Sequence, residues 1–139
     1  RGTGRTFWQQ EAQNTIYEAA KKRLRPYENC EIIKKTSMDA LNDIPDGSLD
    51  FVYIDGDHKF RYIAEDLVEW SRKVKKGGIV SGHDYYRTPT TSLNVICHVK
   101  PVVDAFVEIT GIDNFYLVGG KDKTRKIYDK YSSWFWLKK

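Results

Sequence analysis

The sequence predicts an α/β domain built on parallel strands, and three observations carry that reading. Two short apolar runs, Leu49-Asp50-Phe51-Val52-Tyr53-Ile54 and Gly78-Ile79-Val80-Ser81-Gly82, each end abruptly in polar residues: Asp55-Gly56-Asp57-His58 after the first and His83-Asp84 after the second. Strands end this way where they deliver polar groups to the carboxyl edge of a parallel sheet, the edge at which such sheets bind ligands. Between the runs, Phe60, Ile63, Ala64, Leu67, Val68, Ser71 and Val74 recur at spacings of three and four, the pattern of an amphipathic helix lying on one sheet face. Near the end, residues 115–118 and 133–137 form two late strands joined by a charged connector without a helix, so they pair as an antiparallel hairpin.

The remaining elements follow in order. Trp8, Ala12, Ile16, Ala20 and Leu24 fall four apart over residues 7–25 and Pro26 ends the pattern, which predicts a first helix. Residues 31–35 predict a short strand, residues 36–42 a loop, and Pro45-Asp46-Gly47 a tight turn into the strand at 50–55. The second helix is expected over 60–75, with Lys75 and Lys76 at its negative end and Gly77 as a left-handed cap. Pro101 suits a first helical turn, Val102, Ala105, Phe106 and Ile109 form the stripe of a third helix, and Gly111 stops it. Residues 1–6 read as a flexible tail, because Gly2-Thr3-Gly4 has neither a strand before it nor a third glycine after it. With no repeat or low-complexity segment, residues 1–139 read as one domain.

Composition bounds the function. A chain of 139 residues with 40% apolar, 30% charged and 14% aromatic residues builds an ordinary folded core. No apolar run approaches the roughly 20 residues of a membrane span, and no charged-then-apolar leader opens the chain. Cys30 and Cys97 lie far apart without a partner motif, which predicts buried reduced thiols and a cytoplasmic setting. The formal charge of +4 does not point to nucleic acid, since the basic residues are scattered among 19 acids and cluster only at 21–25 and 121–126, as solvated faces do. A small-molecule partner, no membrane and no specific nucleic acid are therefore expected. Trp134 and Trp136 alternate with Phe135 along the last strand, so one of its faces is available for a dimer contact.

The turn Asp55-Gly56-Asp57-His58 and the run Gly77-Gly78-Ile79-Val80-Ser81-Gly82-His83-Asp84-Tyr85, in that order with a helix between, resemble class I S-adenosylmethionine-dependent methyltransferases of the methyltransferase domain 24 type. The resemblance runs from about Tyr17 to the end and implies a Rossmann-like three-layer sandwich with parallel strands and a C-terminal antiparallel hairpin. Members of that superfamily hold the cofactor through a glycine-rich turn after the first strand and an acid after the second. Neither is present here, and the chain opens on Arg1, so the resemblance implies a domain incomplete at its N-terminus, with a gap in its sheet unless the remaining strands close it.

The same resemblance implies the chemistry: metal-assisted O-methylation of a small-molecule or sugar hydroxyl. Asp55, His83 and Asp84 would hold a divalent cation, Mg²⁺ for oxygen ligands or Mn²⁺ where a histidine joins them. His58 is the candidate general base, because an imidazole titrates near neutrality. Ser37, Met38 and Asp55 would line the cofactor, and Tyr85 and Arg87 the methyl acceptor. Each residue also has a structural reading: Asp57 as a helix cap, His58 as a first-turn residue, His83-Asp84 as a hydrogen-bonded pair, and His98 as structural. Two other function classes stay open. Asp55-Gly56-Asp57 fits the D-x-D pattern of nucleotide-sugar glycosyltransferases, and a domain lacking half its cofactor cradle suits an inactive interaction or oligomerisation module.

Overall fold

The computed structural model describes residues 7–88, 96–120 and 131–139. The expected tail at 1–6, with Gly2-Thr3-Gly4, and the basic cluster at 121–126 lie outside them. The chain divides into two compact units, Arg1–Lys34 and Lys35–Lys139. Among the described residues no helix is long and apolar enough to cross a membrane.

The first unit carries α1, Phe7–Leu24, with Lys21, Lys22 and Arg23 in its last turn, where positive charge suits the helix dipole. On its expected apolar face Ile16 is 69% exposed, while Ala20 and Leu24 are partly buried. Residues 31–35 form no strand, contrary to expectation. Ile32 and Ile33 have the composition of a strand, but strand structure needs a backbone partner and none of the described strands pairs with them. Cys30 is exposed rather than buried, and Cys97 is fully buried.

The second unit is α/β. Its sheet has four strands in the order β1-β2-β4-β3: β1 Leu49–Ile54, β2 Val74–Gly82, β3 Phe115–Gly119 and β4 Ser132–Leu137. β1 and β2 are parallel, β2 and β4 antiparallel, and β3 and β4 form the expected antiparallel pair. Among the described residues the strands are contiguous, and with no strand at 31–35 the expected gap before β1 has no far side. The expected loop at 36–42 is instead a short helix, α2 (Ser37–Ala40), running into a 3-10 turn at Leu41–Asp43. Thr36 starts it by accepting a hydrogen bond from the Asp39 backbone N–H at 3.1 Å.

Helix α3, Phe60–Lys73, makes the crossover that parallel strands require. It ends earlier than the stripe suggests, because Val74 already belongs to β2. Lys75, Lys76 and Gly77 are therefore strand residues and not a helix terminus. Gly77 does take a left-handed backbone, φ 76°, but within an irregular stretch of β2 in which Leu49 pairs with Val74 and Phe51 with Ile79. The helix end is served from far along the chain instead: the Lys138 ammonium donates to the Ser71 carbonyl at 2.9 Å and the Val74 carbonyl at 2.6 Å.

Helix α4, Val99–Thr110, stops at Gly111, whose φ of 68° is the left-handed cap expected of it. It begins two residues before Pro101. Ile63 and Leu67 of α3, Val99 and Val103 of α4, and Trp134 and Trp136 of β4 make one core on one face of the sheet. On the opposite face Phe51, Tyr53 and Tyr116 stay about half exposed. Gly82 is where the core meets the sheet most tightly. A Cβ there would lie 2.3 Å from the Trp134 ring and 2.6 Å from the Ile54 carbonyl, so only glycine lets β2 pass over that indole.

Candidate active site

Because β1 and β2 run parallel, Ile54 pairs with Gly82 and both strands release their next residues at one edge. The ladder extends one step further, with the His83 N–H donating to the Ile54 carbonyl at 3.1 Å. Then the backbone turns sharply. Asp84 has φ 53°, a left-handed conformation unusual for any residue but glycine and tolerated best by Asp and Asn. This turn carries the Asp84 side chain toward the loop after β1.

Three side chains converge there. His58 Nε2 lies 3.1 Å from Asp84 Oδ2 and 3.7 Å from Asp55 Oδ1. One ligand atom from each of Asp55, His58 and Asp84 lies within 4.8 Å of the other two. Asp84 is the most enclosed, its side chain 13% exposed against 52% for Asp55. Among the described residues neither carboxylate has a Lys or Arg partner.

The surrounding loops are tied down from below. His98 donates its backbone N–H to the His58 carbonyl at 2.8 Å, and its Nδ1 accepts from the Phe60 N–H at 3.0 Å. His98 therefore supplies the side-chain cap of α3, satisfying a backbone donor that the helix leaves unpaired. Asp57 takes a different role from the expected cap: its Oδ1 accepts from the Lys59 N–H at 3.0 Å, and Lys59 is the first flanking residue of the helix. The Asp57 carboxylate is thus turned to Lys59 and is not one of the converging three.

The other residues singled out from the sequence are placed as follows. His83 lies beside the trio and outside it, its Nδ1 3.4 Å from Asp84 Oδ1 and its carbonyl accepting from Trp134 Nε1 at 3.0 Å. The Tyr85 hydroxyl is engaged by Asp104 and by Lys100 at 3.2 Å, and burial pushes its pKa up. Tyr86 stacks on Tyr131 with ring centroids 3.8 Å apart, and burial raises its pKa to about 12. Arg87 is exposed at the mouth of a groove between α3 and α4.

Ser37 is held inside the protein's own network. Its hydroxyl donates to Asp66 Oδ1 at 2.5 Å and accepts from Trp70 Nε1 at 2.7 Å, while Met38 beside it is half-buried. Asp66 is a buried acid beside the Asp55-Gly56 turn that the apolar pattern hid. It is 7% exposed on the inner face of α3, its pKa raised by burial, with the Ser37 hydrogen bond opposing that rise. A Cβ on Gly56 would stand 3.1 Å from its Oδ2, so this carboxylate presses directly against the Asp55-Gly56 turn. The signal was an acid one helical turn from Ile63 and adjacent to Leu67, on the face that should be apolar.

Comparison with known proteins gives the family. A family model described as "Methyltransferase domain" matches residues 3–85, more than half of the chain and inclusive of all three converging side chains. The match starts closer to the amino end than the expected Tyr17 and stops at Tyr85. A stretch of 53 residues is 34% identical to "Uncharacterized protein y4gI" of Sinorhizobium fredii (strain NBRC 101917 / NGR234), covering 38% of this chain and 6% of that protein. The chain thus spans a small fraction of that relative's length. A Rossmann-like sheet with acids at its carboxyl edge and a family match across that edge lead to one conclusion: the chain belongs to the methyltransferase domain 24 family of class I S-adenosylmethionine-dependent methyltransferases.

Proposed function

We propose that the protein transfers a methyl group from S-adenosylmethionine to a hydroxyl of a small molecule or sugar, with a divalent cation held by Asp55, His58 and Asp84. The observation that carries this reading is the convergence of those three side chains, within 4.8 Å of one another, at the carboxyl ends of two parallel strands. Two carboxylate oxygens and one imidazole nitrogen suit Mg²⁺ or, better, Mn²⁺. The donor set also fits electrostatically, since among the described residues no Lys or Arg offsets the two acids. His58 takes the ligand place that the sequence suggested for His83, whose ring stands beside the trio.

A cation bound there would lower the pKa of a substrate hydroxyl and fix its oxygen in line with the methyl group. The chain's own residues do the rest. Asp84 is aimed by its left-handed backbone, His58 is oriented by Asp84 and anchored through its carbonyl, and Gly56 leaves space for Asp66 to back the turn. On the cofactor side the reading keeps Met38 as an apolar contact and Ser37 through its backbone only, because the Ser37 hydroxyl is already shared by Asp66 and Trp70.

One distance favours a second assignment within the same function. At 3.1 Å, His58 Nε2 and Asp84 Oδ2 are at hydrogen-bond distance, the geometry of an imidazole base oriented by a carboxylate. The two assignments part on metal. Thermal melting of the protein with S-adenosylhomocysteine, with uridine diphosphate, and with Mn²⁺ separates the classes, because a ligand well above its Kd must raise apparent stability. A methyltransferase with a metal centre is stabilised by S-adenosylhomocysteine and by Mn²⁺. Stabilisation by the diphosphate alone would overturn methyl transfer, and indifference to Mn²⁺ would leave His58 as the base.

A further inference from the structure

A groove with a cavity volume of about 830 Å³ runs between α3 and α4, of a size that holds a small organic molecule. Phe60, Ala64 and Val68 line one wall, four residues apart on α3, and Pro101, Ala105 and Ile109 line the other with the same spacing on α4. This surface is not core: Phe60 is 65%, Val68 48% and Ile109 83% exposed. Two facing apolar stripes are thus exposed, as at surfaces that take a ligand.

The polar groups of the groove say what kind of molecule that is. Thr88 is already satisfied, pairing with Cys97 through its N–H at 3.1 Å and its hydroxyl at 3.0 Å. His98 Nδ1 accepts from Phe60, so the neutral ring carries its proton on Nε2 and offers a donor. Among the described residues Arg87 makes no ion pair and no acid lines the groove. The groove therefore combines apolar walls with hydrogen-bond donors and a positive charge.

We infer that this groove binds an organic carboxylate with an apolar body, its carboxylate on the Arg87 guanidinium and its carbon skeleton between α3 and α4. Arg is suited to the head group, since its planar fork meets both oxygens of a carboxylate. The His98 N–H donates to the His58 carbonyl at 2.8 Å, which ties one residue of the groove lining to the loop that carries His58. The inference rests on the groove and not on methyl transfer, and the two fail separately.

The test uses octanoate, octanol and octylammonium as probes, titrated into the protein and followed by ¹H–¹⁵N NMR. Octanoate should bind saturably and shift amides of α3 and α4. Octanol and octylammonium should bind about ten-fold more weakly or less, as expected for loss of one charge-assisted interaction. Arg87→Gln should abolish the preference for the acid, and Ala105→Phe, which fills the groove at an exposed position, should block all binding while leaving melting by S-adenosylhomocysteine unchanged. Absence of saturable octanoate binding, equal affinity for the three probes, or an unaltered preference in Arg87→Gln would overturn the inference.

Discussion

The two ends of the β1–β2 pair treat their acids in opposite ways. At the amino end Asp46 is clasped by Arg72 and Lys73, both at 2.8 Å, and Asp50 is paired with Lys75. Those cations hold both carboxyls below the ordinary carboxylate range. At the carboxyl end Asp55 and Asp84 converge on a single imidazole, with no Lys or Arg beside them among the described residues. An acid placed for stability is neutralised by the chain itself. The acid pair at the other end has only an imidazole between its members among the described residues, the arrangement on which the proposed metal centre rests.

Substitutions can break this contrast, starting with the largest effect. Asp84→Asn keeps a residue that accepts the left-handed backbone but removes a charged ligand. The rise in melting temperature that Mn²⁺ gives the parent protein should vanish, while the metal-free variant melts no lower than the parent. A variant still stabilised by Mn²⁺ to the same degree would erase the difference between the two ends. Trp134→Ala removes the fully buried indole under Gly82 that also donates to the His83 carbonyl. It should cost about 3–5 kcal/mol in urea denaturation. A loss under 1 kcal/mol would show that the carboxyl end does not depend on that core.

Asp66 sharpens the contrast through pH. Its folded pKa is raised, so the fold favours the protonated form. The stability this confers is fully present below the ordinary carboxylate pKa and is lost as pH rises through the raised value. Asp66→Asn should flatten that decline, with a urea midpoint that no longer falls across the window just above the ordinary carboxylate range. An unchanged pH profile would mean the carboxyl is not desolvated. The smallest effect belongs to Asp46→Asn. Its depressed pKa gives stability that is present above the ordinary carboxylate range and lost as pH falls through the folded value. Exposed pairs contribute little and are screened. The variant should melt only slightly lower at low salt, indistinguishably at high salt, and with Mn²⁺ affinity intact.

Much of this architecture could be read from the sequence, because it rests on local periodicity. β1, α3, the hairpin and the Gly111 stop each carry their own signal: a short apolar run, a 3.6-residue stripe, alternation without a helix between, and a glycine past the last periodic residue. What could not be read depends on partners distant in the chain. Residues 31–35 have a strand's composition but pair with no strand among the described residues. Lys138 serves the end of α3, displacing the local Lys75-Lys76-Gly77 signal. The site shows the same division. Asp55, His58 and Asp84 were visible as residues, but which of the adjacent His83 and Asp84 points to the trio depends on one backbone turn at Asp84. His98 gave no motif at all, since its role arises only when its ring meets the start of α3, 38 residues earlier.

The most direct test of the metal centre is pulsed electron paramagnetic resonance of the protein titrated with Mn²⁺. Asp55, His58 and Asp84 together require one bound Mn²⁺ whose spectrum carries ¹⁴N modulation from a single imidazole, and that modulation must disappear in His58→Gln. Mn²⁺ that stays free in solution, or binds with no nitrogen coupling, would contradict it.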